Sequence, residues 1–113
     1  MDVRKEGNHT GEFLLSEANG KLSREEVTLA KTDIPLPSGQ ILALGAEGQY
    51  VAFDETKAAK QPAVAVLYSA VGASAGTQRA TIIGRHAEVA LARLTGFKEA
   101  ARAGLATQGI VVR

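Results

Sequence analysis

The sequence predicts a small, mainly β domain with one short C-terminal helix. Three observations lead there. Two apolar runs, Ile41–Leu44 and Tyr50–Phe53, are split by the Gly45–Gly48 segment and read as a hairpin. Ala63–Val71 and Thr77–Ile83 are apolar or β-branched stretches of strand length, set off by Pro62 and Gly72. Only Thr95–Ala106 has helical spacing, with Phe97, Ala101 and Leu105 recurring at every fourth position.

Taken in order, residues 1–11 are polar and Gly-containing, with nothing to anchor them, which predicts a mobile stretch. Phe13-Leu14-Leu15 is an apolar island within it. Ser16–Gly20 reads as a turn, because Asn19-Gly20 tolerates left-handed backbone angles. Residues 1–22 are therefore expected to form a mobile N-terminal arm with a short β segment, and 23–113 a single β-rich domain. Ser23 to Glu26 has the capping-box spacing, but Val27-Thr28-Leu29 is β-branched and alternating. Residues 24–30 predict a strand, with a short helix as the alternative. Ile34-Pro35-Leu36-Pro37 cannot be a central strand, since two prolines remove ladder donors. Pro37-Ser38-Gly39 predicts a turn. Asp54–Gln61 is a charged loop or single helical turn.

Residues 84–94 are open to two readings. Ala87–Leu94 has helix-forming composition, yet Ala87, Val89 and Leu91 also alternate. Thr95 is positioned to cap the following helix, Gly109 to end it, and Ile110-Val111-Val112 to form a terminal strand. No internal repeat or interdomain linker interrupts the chain.

At 113 residues one domain is expected, with Ala, Val, Leu and Ile supplying most of the core because Trp is absent and aromatic residues number five, Tyr 2 and Phe 3. No Cys excludes disulfides and thiolate metal sites. The net charge of +1 gives little support to a phosphate-binding face. No apolar run approaches the roughly 20 residues that span a bilayer, and the N-terminus lacks the apolar core of a signal peptide. The expectation is a protein made and used in the cytoplasm, with no nucleic-acid and no membrane partner.

The candidate chemical motifs are weak. Gly72-Ala73-Ser74-Ala75-Gly76 fits a nucleophile elbow, with His86 and Asp54 as conceivable partners. That motif requires a strand turning into a helix, whereas Thr77–Ile83 reads as a strand. His9 and His86, the two histidines, are far apart in sequence. Glu25-Glu26 and Asp54-Glu55 are adjacent carboxylates, which a strand sends to opposite faces. Gly45–Gly48 lacks the lysine of a phosphate loop. Lys57, Lys60 and Arg79 could cluster, but Lys57 and Lys60 sit beside acids and no aromatic ladder accompanies them. The reading is a protein without catalysis, cofactor or metal. The Phe13-Leu14-Leu15 island reads either as an edge strand packed on its own domain or as an arm that adds a strand to a partner's sheet.

The order and spacing of several apolar motifs resemble the head decoration proteins of tailed phages, the family of the lambda capsid-stabilising protein D. The carriers are Pro35–Leu42, Gly48–Asp54, Ala63–Leu67, Gly84–Val89 and Ala103–Val112, covering about residues 23–113. The resemblance favours a strand over residues 84–94. Three departures stand out: Phe53 where the lambda type has Trp, Ala92-Arg93-Leu94 where it has Trp-Pro, and Gly11–Glu17 in place of a Thr/Pro-rich arm. The resemblance implies a β-clip fold and a homotrimer on the outer surface of the expanded head, assembled in the host cytoplasm. There it clamps the major capsid protein, with no enzyme activity and no cofactor. The capsid contacts are then expected on the arm at Gly11, Glu12, Phe13, Leu14, Leu15 and Ser16. The alternative is a small-ligand-binding or regulatory β module without catalysis.

Overall fold

A computed structural model describes residues 10–17 and 23–113. Among the described residues there are eight strands and one α-helix: β1 (Leu14–Glu17), β2 (Arg24–Leu29), β3 (Ile41–Leu44), β4 (Tyr50–Ala52), β5 (Ala63–Leu67), β6 (Gln78–Ile83), β7 (Ala87–Val89), α1 (Glu99–Thr107) and β8 (Ile110–Val112). The fold class is mainly β with a single short C-terminal helix, as expected. Strands β2-β4-β3-β5-β6 close into a barrel, and β1-β7-β8 make a separate three-stranded sheet.

Strand alternation divides the core in two. Val27, Leu29, Leu42, Ala65, Leu67, Ala80 and Ile82 point inward and, with Leu36, fill the barrel. Ile41, Ala43, Phe53, Ala63, Val66 and Ile83 point outward from the same wall. They meet Ala101 and Leu105 of α1, and Phe13, Ala87, Val89, Ile110 and Val112 from the small sheet. Strands β3 and β5 are thus covered on both faces, which is why they read as near-continuous apolar runs. In β5 the register slips between the partners of Leu42 and Ala43, where Val64 is extra, so Ala63 joins one core and Ala65 the other.

The hairpin of β3 and β4 and the strands at 24–29 and 78–83 match their expected segments. Gly39 has φ +95° in the turn after Pro37, and Gln40 N–H donates to the Pro37 carbonyl at 3.2 Å. A 3-10 turn at Glu55–Lys57 fills the charged loop.

Four expectations are corrected. Ser16 and Glu17 are not turn residues; they are the second half of β1, paired with Glu88 and Ala87. Asn19-Gly20 lies outside the described residues. The buried run from Ala63 stops being a strand at Leu67, because the chain bends so that Val71 can bridge Leu36. Over 84–94, the strand reading holds only for Ala87–Val89; a 3-10 turn, Leu91–Arg93, follows. Thr95 does not cap α1. Its backbone is used between Gly39 and Ile41, donating to one carbonyl and accepting from the other N–H, each at 2.9 Å. Lys98 occupies the N-cap position without a side-chain cap, and Phe97 packs on the core ahead of the helix.

Gly109 terminates α1 at φ +80°, where a Cβ would lie 3.2 Å from His86 Nδ1 and 3.3 Å from its backbone nitrogen. Gly109→Ala is expected to destabilise by about 1–2 kcal/mol from the left-handed backbone, read as a lower urea midpoint with an unchanged slope.

Candidate functional site

The apolar island near the N-terminus is a strap that crosses from barrel to small sheet. Gly11 begins it. Its N–H donates to the Tyr68 carbonyl at 3.1 Å and to Ser38 Oγ at 3.2 Å, and the Ser38 hydroxyl donates to that same carbonyl at 2.8 Å. With φ +70° and space for a Cβ only 2.8 Å from Tyr68 Cε1, the position suits glycine alone. Phe13 follows and is fully buried in the outer core, while its carbonyl accepts from Ala90 N–H at 2.8 Å.

Strand β1 pairs antiparallel with β7, Leu14 opposite Val89 and Ser16 opposite Glu88. Two steps on β1 answer one on β7, so Leu15 is the extra residue of a β-bulge. A regular strand would return Leu15 to the side of Phe13. The bulge instead leaves Leu15 and Ser16 both outward, with Leu15 52% exposed. Leu14 is half-buried against the core.

A clasp closes the far end. Glu17 accepts from Arg24 Nη2 at 2.7 Å and Nε at 3.1 Å, and Ser23 Oγ donates to the same carboxylate. The Arg24 guanidinium stands 4.3 Å from the Tyr68 ring centroid, so Tyr68 supports both ends of the strap. On the outer face, Ser16 Oγ donates to Glu88 at 3.2 Å, and Arg113 Nη2 donates to the other oxygen at 2.9 Å. Glu12 pairs with Arg93 at 3.3 Å.

The Arg24 hydrogen bonds hold the Glu17 carboxyl below its ordinary range, against the opposing cost of burial and with help from Ser23. Arg113, then Ser16, lower Glu88 in the same way. For groups lowered on folding, the stabilisation is complete above the ordinary glutamate range. It is lost as pH falls through the lowered folded values. Acid is therefore expected to loosen the clasp only below that range, seen as β1 amide exchange rising before that of the barrel strands.

The expected site residues thus have different fates. Gly11 is a backbone anchor, Phe13 is core, Leu14 is half-buried, Glu12 is ion-paired, and Leu15 and Ser16 face outward. Nothing local in the sequence marks Tyr68, Ser38 and Arg24, because their role comes from contacts with residues distant in the chain.

The other candidates are separate. Ser74 lies in the loop ahead of β6, its backbone bridged to Thr32, and a strand follows it. Its Oγ accepts from Gly76 N–H at 3.3 Å. Glu25 pairs with Arg85 at 3.2 Å and Glu26 with Arg79 at 3.6 Å. Asp54 caps its 3-10 turn, accepting from Thr56 N–H at 3.0 Å. Among the described residues, no three of His, Asp and Glu are grouped to hold a metal. Residues 3–110 match the family model for bacteriophage lambda head decoration protein D. No curated protein matches the chain.

Proposed function

Since this chain belongs to the bacteriophage lambda head decoration protein D family, a family of structural capsid proteins, we propose that it binds the outside of the expanded head as a homotrimer and clamps neighbouring major capsid subunits. The family match over residues 3–110 carries the reading, since it implies association with the phage capsid and a place in the virion.

The capsid contacts fall on the strap, Gly11 to Ser16, with Leu15 as the apolar contact. Lifting the strap off would expose Phe13, at a cost of roughly 1.5–3 kcal/mol. The strap therefore engages while docked, presenting the bulge and not a free arm. A trimer offers three such contacts, so after the first has formed the others meet a high effective concentration. Binding the expanded shell and not the free subunit stabilises that shell by mass action. Assembly then takes place in the host cytoplasm, after expansion.

The test mixes purified protein with expanded and unexpanded heads and counts bound copies by sedimentation. Wild type is expected on expanded heads only. Leu15→Glu is expected to keep the circular dichroism spectrum while occupancy falls by about tenfold or more, as a charge enters each repeated apolar contact. A deletion through residue 16 is a poorer probe, because it also removes Phe13 from the core. Wild-type protein that ignores expanded heads would overturn the clamp. A Leu15→Glu protein bound at wild-type occupancy would move the contact off the strap.

A further inference from the structure

Among the described residues, three of the five exposed large apolar side chains belong to the small sheet or the turn beside it: Leu15, Leu91 and Val111, the last 45% exposed. The other two, Ile34 and Leu44, lie in the barrel and its loops. Register brings Leu15 and Val111 onto one face. Ala87 and Val89 face the core, so Glu88 between them faces away, and Ile110 and Val112 do the same for Val111. Glu88 is paired with Ser16 on one side and with Val111 on the other. The outward row therefore runs Leu15 and Ser16, then Glu88, then Val111, across all three strands. Leu91 N–H donates to the Arg113 carbonyl at 3.0 Å, which holds the turn against the end of β8. The one charge in the row is neutralised from within, since Glu88 accepts from both Ser16 and Arg113.

We propose that this whole face, and not Leu15 alone, is covered on the head, with an apolar segment of a major capsid subunit seated across Leu15 and Val111; the proposal rests on the head-binding function proposed above. Family membership ties the chain to a phage capsid, and the face is continuous with the strap contact at Leu15. Val111 stands two strands away, about 10 Å at ordinary strand spacing, so one extended segment reaches both. Glu88 does not oppose that covering. A carboxylate already held by a hydroxyl and a guanidinium enters the interface as a satisfied group, whereas a lone one would be left buried and unpaired. The segment that fits is therefore apolar over Leu15 and Val111 and needs no cation of its own opposite Glu88.

The experiment compares the free protein with the protein on expanded heads by hydroxyl-radical footprinting, and counts bound copies of wild type, Val111→Lys and Val111→Thr by sedimentation. Leu15 and Val111 are expected to lose reactivity together on binding, while Leu44 keeps its own. Val111→Lys sets a cation beside Glu88, an opposite-charge neighbour that a sheet tolerates. It should keep the wild-type urea midpoint and oligomer mass while occupancy falls by about tenfold, as an unpaired ammonium enters each repeated contact. Val111→Thr keeps the branched shape and should lose less. Wild type that ignores expanded heads would remove the head-binding function itself. Wild type and Val111→Lys bound alike, with Val111 still reactive on the head, would overturn the face and leave head binding standing. Val111 already protected in the free oligomer, and released on dilution, would give the face to a second copy and overturn the proposal as well.

Discussion

Gly104→Ala is expected to lower stability by about 3 kcal/mol, at the upper end of the range for overpacked cores. Helix propensity alone predicts the opposite sign, a gain of about 1 kcal/mol for Ala over Gly within a helix. The contact decides. A Cβ at Gly104 would stand 2.4 Å from the Ala63 carbonyl oxygen, 3.1 Å from its nitrogen and 3.3 Å from its carbonyl carbon. All three are backbone atoms of β5, the strand shared by both cores, so no side chain can swing away. Relief requires α1 to lift, which would open gaps around Ala101 and Leu105, the two helix residues buried fully against that wall. Close-packed interiors forfeit dispersion contacts when gaps of even a fraction of an ångström open. Urea unfolding gives the measurement, with the exposed Ala106→Gly as the propensity control. A Gly104→Ala protein as stable as wild type would mean that α1 does not rest on β5 as described.

Local chemistry made most of the barrel legible. Strands β2, β3, β4 and β6 were readable because each has an alternating or continuous apolar pattern with Gly or Pro near its ends, and tertiary packing agrees with it. The places that misled are those where a distant partner overrides local preference. Thr95 looks like a cap, but its backbone is committed to Gly39 and Ile41. Ser16 and Glu17 look like the approach to an Asn-Gly turn, but β7 supplies a ladder for them. Ala87–Leu94 has helical composition, and β8, arriving from the C-terminus, makes part of it a strand. The candidate site was legible only as a segment. Nothing in Phe13-Leu14-Leu15 says which apolar residue is core and which is surface. The bulge decides that, and the bulge arises from pairing with a strand about seventy residues later.

Phe13→Ala and Leu15→Ala are expected to separate folding from attachment. Truncating Phe13 removes a fully buried ring from the outer core, where it joins Val89, Ile110 and Leu105, and is expected to cost about 3–5 kcal/mol. That is a large share of the roughly 5–15 kcal/mol that typically holds a domain together. The loss should be concentrated in the strap, because Phe13 is the one fully buried side chain among residues 10–17. Leu15→Ala, on a half-exposed bulge, should change stability by about 0.5 kcal/mol or less. On the proposed placement of the capsid contact, attachment should fall in both variants, for different reasons: Phe13→Ala displaces the strap, while Leu15→Ala leaves it docked without the outward apolar side chain. Adding wild-type heads should then partly restore β1 protection in Phe13→Ala, since a partner that binds only the docked strap draws the equilibrium towards it. It should do nothing for the strap of Leu15→Ala, which is already seated. If Phe13→Ala unfolds with the wild-type urea midpoint, the strap is not part of the core. If it decorates heads normally with β1 exchanging freely, attachment does not depend on the docked strap.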